Sequence, residues 1–85
     1  MQVPFFIPDG QELLLPEGTE VKYLANDWGL YVNRLHNMSF IVRRAKFNGV
    51  LGWRITSLAG VQTLSYANDF INTSCRGCLD SLKGD

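Results

Sequence analysis

Two cysteines near the end of the sequence have the spacing that is most often linked to thiol chemistry. They lie in Cys75-Arg76-Gly77-Cys78, and a CxxC pair can bind a metal or form a reversible disulfide. The residues before Cys75 have helical spacing, so both thiols also fit as small apolar residues on a helix face. A zinc site would need more ligands, from His36, an aspartate or a second protomer. We therefore treat Cys75, Cys78 and His36 as weak metal candidates and expect no resident cofactor.

The sequence offers little acid–base chemistry. His36 is the only histidine of the 85 residues, and at a predicted hairpin tip it is expected to be exposed. A Cys–His pair with Cys75 or Cys78 would require that tip to fold over the helix. The acidic residues form no carboxylate pair, and Gly49 and Gly52 form no phosphate loop. We therefore predict a protein that is not an enzyme, with no catalytic residue.

Turn signals divide residues 1–58 into short strands. Pro8-Asp9-Gly10 and the Pro16–Thr19 segment predict tight turns. Asn48-Gly49 predicts a two-residue hairpin turn, because a type I′ turn needs positive φ at both central positions. Between the turns we predict strands at residues 3–7, 12–15, 20–25, 30–35, 38–46 and 51–57, of which the last three form an antiparallel meander.

The apolar period changes after Gly60. From Val61 to Leu82 the apolar residues recur every three or four positions, which predicts a helical stripe that packs on the sheet. Ser74 could instead cap a separate short helix. The prediction is one α+β domain, in which an antiparallel meander of four to six strands (1–58) packs against a C-terminal helical region (61–83).

The charges are balanced in number but not in position. Eight basic and eight acidic residues give a net charge of zero. Residues 1–27 hold five acids and one lysine, a net of −4, whereas residues 28–68 hold five basic residues and no acid, a net of +5. Three acids and two basic residues in 69–85 supply the remaining −1. Strand alternation could gather four of the cations on one solvent face, Arg34, Arg44, Lys46 and Arg54, with Arg43 on the other face or at its margin.

A basic segment suits an anionic partner, either an acidic protein surface or nucleic-acid phosphate, although an ordinary solvated sheet face is also consistent with it. Zero net charge favours a protein or nucleoprotein complex over a dedicated nucleic-acid module. Trp28, at a predicted turn, could anchor such an interface or close the sheet over its core. The acidic strands could also be the working surface. The partner-binding candidates are Trp28, Arg34, Arg43, Arg44, Lys46 and Arg54.

The ends and edges of the chain complete the expectations. No apolar run reaches the roughly 18 residues of a membrane helix, and the start lacks a signal peptide's basic region, so we expect a cytoplasmic protein without a membrane partner. A free sheet edge could accept a second copy and give a homodimer. In general type, the chain resembles the accessory proteins that phages and mobile elements encode, many of which inhibit a host machine, such as a defence system, by occluding a surface. The alternatives are a nucleic-acid-binding module and a redox or zinc-dependent protein.

Overall fold

The computed structural model describes residues 4–74, which form five strands and one helix. The elements are β1 (Phe6–Pro8), β2 (Thr19–Leu24), β3 (Trp28–Asn33), β4 (Met38–Phe47), β5 (Val50–Ala59) and α1 (Leu64–Ser74). The strands form one antiparallel sheet in the order β1-β5-β4-β3-β2. The predicted fold class, a small antiparallel α+β domain with a C-terminal helix, is confirmed.

The β4–β5 hairpin turns as its residue types require. Asn48 and Gly49 have φ values of 52° and 81°, so the predicted type I′ turn is confirmed. The connection between β3 and β4 is longer than the predicted two residues, since it spans Arg34–Asn37. Its closing residue Asn37 has positive φ, and the Asn33 side-chain oxygen accepts a hydrogen bond from the His36 backbone N–H at 2.8 Å.

The predicted strand at residues 12–15 is wrong. Residues 11–18 contain no strand and cross one face of the sheet. Leu13 and Leu15 pack there against a buried cluster, so their alternation reflects contact with the sheet face, not strand pairing. The buried Asn33 side chain fixes the far end of this segment, because its amide donates to the Glu17 carbonyl at 3.0 Å.

Both faces of the sheet are therefore covered. On the helix face, Leu30, Val32 and Ile41 pack against Ala67 and Ile71 of α1. On the opposite face, which we call the loop face, the 11–18 segment covers a cluster of four buried side chains: Ile7, Phe40, Val42 and Ile55. The chain thus builds two thin apolar layers from one sheet.

The helix begins later than the apolar stripe suggests. Val61 packs on the core before the helix, and α1 begins after Thr63, whose hydroxyl accepts a hydrogen bond from the Tyr66 backbone N–H at 3.2 Å in the manner of an N-cap. Residues 75–83 of the predicted helical region lie outside the described residues. No helix within residues 4–74 has the length and apolar character needed to span a membrane.

Candidate docking surface

The basic candidates are divided between the two faces of the sheet. Cross-strand partners share a face, and the β4–β5 register pairs Arg43 with Arg54 and Arg44 with Trp53. Arg44 and Lys46 therefore lie on the loop face, whereas Arg43 and Arg54 lie on the helix face. The predicted single face that would include Arg54 with Arg44 and Lys46 is wrong.

Arg34 lies apart from the other cations. It occupies the exposed turn after β3, at the end of the sheet where β4 begins, whereas Lys46 lies near the end of β4. The sequence did carry a signal for the faces on which the β4 and β5 cations lie. A two-residue turn at Asn48-Gly49 pairs Phe47 with Val50 and so fixes the β4–β5 register.

Arg43 lies in the interior of the protein. Its side chain is 2% exposed, between Ile41 and Ala45 on the strand face that α1 covers. Within residues 4–74, its Nε and Nη1 atoms have no hydrogen-bond partner. The structure thus buries a candidate that the sequence analysis placed on a partner-binding surface.

Arg44 is held in a fixed position on the loop face. Its Nη1 donates to Asp9 Oδ1 at 2.5 Å and its Nη2 to Asp9 Oδ2 at 2.7 Å, a bidentate geometry that orients the guanidinium plane. The guanidinium carbon also lies 4.5 Å from the centre of the Trp53 ring, within cation–π range. The turn after β1 therefore positions a cation on an aromatic platform.

The Asp9–Arg44 pair has a measurable pH signature. The hydrogen bonds from Arg44 lower the pKa of the Asp9 carboxyl below its ordinary value of 3.8, and the same pair raises the pKa of Arg44. Because the folded pKa is the lower one, the pair contributes stability above pH 3.8 and loses it as the pH falls through the folded pKa.

We expect a carboxyl-carbon NMR titration to place the Asp9 midpoint below 3.8. Arg44→Gln should raise that midpoint, and a wild-type midpoint at the ordinary value would contradict the pairing.

Trp28 closes the core, the second of its two predicted roles. It begins β3, is 9% exposed and belongs to the helix-face cluster. The Tyr23 ring stacks on it with ring centres 4.8 Å apart. Trp28 is therefore a structural side chain, of which only a small part reaches the groove described next.

Beside Arg44, the loop face carries a groove that the sequence analysis missed. The groove has a volume of about 250 Å³, and no charged side chain lines it. Gly29 helps to shape it, because a Cβ there would lie 2.9 Å from the Leu24 side chain and 3.1 Å from the Tyr31 ring. Besides Gly29 and Gln11, the groove is lined by eight apolar or aromatic residues: Ile7, Leu13, Leu24, Ala25, Trp28, Tyr31, Val42 and Trp53.

The metal candidates stay predictions. His36 is exposed in the β3–β4 turn, as expected, and Cys75 and Cys78 lie outside the described residues. Within residues 4–74, no three His, Cys, Asp or Glu side chains are grouped so that they could hold a metal ion.

The loop face thus joins an apolar groove to a fixed cation. Trp53 lines the groove and also lies under the Arg44 guanidinium, so the groove and the cation share one aromatic side chain. This geometry suits a ligand that presents an apolar and an anionic group side by side.

No family model, curated protein or solved structure matches the chain.

Proposed function

We propose that this protein is a non-enzymatic binding protein that docks on an acidic protein surface through its loop face. The observation that carries the proposal is the position of Arg44 on the Trp53 wall of the apolar groove. Lys46 lies two residues further along the same face of β4. A buried apolar anchor beside a charge-complementary contact is the usual composition of a strong interface.

Occlusion of a host machine's surface, as by a phage-type accessory inhibitor, is the most specific form of this proposal. The two largest principal extents of the protein are 38 and 27 Å. A face of that size is large enough for the roughly 800 Å² that each partner buries in a stable complex. Such an inhibitor would need a surface of matching shape and charge to block a site, and the apolar groove, with Arg44 and Lys46 on the same face, supports this form of the proposal.

The division of the cations argues against a nucleic-acid module. A protein that tracks a phosphate backbone needs its cations along one surface. Here Arg43 is buried, Arg34 lies in the turn after β3, and Arg54 lies on the face of the sheet opposite Arg44. Nucleic-acid binding is the competing result of the pull-down experiment described below.

The proposal predicts the effect of a double charge reversal on the loop face. Arg44→Glu/Lys46→Glu should weaken capture of the protein partner at least about tenfold, since acidic groups would then face each other. The measurement is a pull-down from a nuclease-treated bacterial lysate with tagged wild type and variant as baits. The melting temperature should fall by no more than about 5 °C, because the Asp9–Arg44 pair that the variant breaks is accessible to solvent, and such pairs contribute little to stability.

Arg34→Glu/Arg54→Glu is the matched control, because it makes the same change in net charge away from the loop face. We expect the control to retain the partner that the wild type retains. Equal losses for the two variants would show a general charge effect and contradict a loop-face site. A partner that the wild type captures from an untreated lysate but not from a nuclease-treated one would favour the nucleic-acid alternative.

A further inference from the structure

The two edges of the sheet are protected very differently. The edge strand β1 has three residues and ends in a proline, which limits pairing with another strand. The other edge strand, β2, has six residues, and the five from Glu20 to Leu24 are exposed. Val21 is 53% exposed and Leu24 is 62% exposed, and no described strand pairs with the outer side of β2.

The sequence of β2 is complementary to itself. In an antiparallel pair of two copies centred on Val21, the residue before the centre faces the residue after the centre of the other copy. Glu20 of each copy would then lie opposite Lys22 of the other, and the two exposed Val21 side chains would meet on the two-fold axis. Opposite charges in directly facing positions stabilise antiparallel pairs, and like charges destabilise them.

The local geometry leaves Lys22 without a cross-strand partner inside the sheet. The β2–β3 register pairs Val21 with Tyr31 and Tyr23 with Leu30, so the shift between them skips Lys22. Such a bulge twists an edge and weakens general strand addition. A strand that pairs with this edge would therefore have to match its charges. A second copy of β2 does so, because its Lys22 and Glu20 would lie opposite Glu20 and Lys22.

We propose that β2 pairs with β2 of a second copy, antiparallel and centred on Val21, to form a two-fold symmetric dimer with a continuous ten-stranded sheet. The contact area of six-residue edges is small, so we expect a dissociation constant of about 1–100 µM. This dimer does not depend on the proposed function, because it uses the sheet edge and not Arg44 or Lys46.

Charge exchange tests the register of this dimer. Sedimentation equilibrium from about 1 µM to 1 mM should show the wild type moving from monomer to dimer over the range that brackets its dissociation constant. Glu20→Lys alone and Lys22→Glu alone each place like charges opposite each other twice per dimer, and each should weaken the dimer about tenfold. The double variant Glu20→Lys/Lys22→Glu restores both pairs and should return the dissociation constant to within about threefold of wild type.

Two controls separate dimerisation from folding and from docking. Glu17→Lys changes the charge as Glu20→Lys does but lies outside β2, and it should leave the dissociation constant unchanged. Circular dichroism melts of every variant establish that each is folded. A wild type that stays monomeric throughout, single variants that dimerise like wild type, or a double variant weaker than both singles would each overturn the proposal. Arg44→Glu/Lys46→Glu should dimerise normally, so failure of the docking proposal would be distinguishable.

Discussion

Replacing Gly52 with alanine is expected to lower the free energy of unfolding by about 3 kcal/mol, because β1 could no longer pack beside β5. A Cβ at this position would lie 2.7 Å from the Phe6 ring and 2.8 Å from the Pro8 Cα, and closer still to the Ile7 carbonyl oxygen. The backbone of β1 would have to move, and Ile7, which is 5% exposed, would leave its cluster. In a domain of this size, the melting temperature should fall by roughly 10–20 °C.

Gly49→Ala is the control for this effect. Gly49 has positive φ, and a Cβ there would have no atom within 4 Å, so its substitution tests backbone strain without a clash. We expect it to cost about 1 kcal/mol. A Gly52→Ala variant as stable as Gly49→Ala, measured by thermal and urea unfolding, would show that β1 is not held against β5 as described.

Replacing Arg43 with methionine is expected to raise the free energy of unfolding by about 2 kcal/mol. The arginine is 2% exposed, and two of its three side-chain nitrogens have no hydrogen-bond partner within residues 4–74. Burying donors without acceptors is unfavourable, whereas methionine retains much of the aliphatic stem without the charge. The melting temperature should rise by about 10 °C.

Arg43→Lys is the matched variant, because it keeps the charge and shortens the side chain. We expect it to be no more stable than wild type, since a buried ammonium has the same need for acceptors. If Arg43→Met were instead less stable than wild type by more than about 1 kcal/mol, the guanidinium would have hydrogen-bond partners in solution. That result would contradict the description of Arg43 as buried without partners.

The parts of the fold that could be predicted are those fixed by local chemistry. The Asn48-Gly49 turn follows from the backbone freedom of these two residue types, and the meander follows from the turns that separate its strands. The helical stripe also predicts two residues of α1 that pack on the sheet, Ala67 and Ile71, whereas Leu64 of the same stripe is exposed. Each of these signals comes from residues that lie close together in the sequence.

The parts that were missed depend on contacts between distant segments. Alternation in Leu13 and Leu15 is compatible with a paired strand or with a segment lying across a face, and only the cluster around Phe40 distinguishes the two. The groove was missed for the same reason, because its wall combines Ile7, Leu24 and Trp53 from separate strands. Arg43 and Arg44 are adjacent, so any strand must place them on opposite faces, and the register decides which one is buried.

The central claim, that the loop face docks on a protein, is tested most directly by amide hydrogen exchange with and without the partner captured by the wild type. We predict slower exchange in the 11–18 segment and at the β4 and β5 residues around Arg44 and Trp53, together with a shifted NMR signal of the Trp53 indole N–H. Exchange at α1 should be unchanged. Protection confined to the helix face or to β2, with the Trp53 signal unmoved, would contradict the claim.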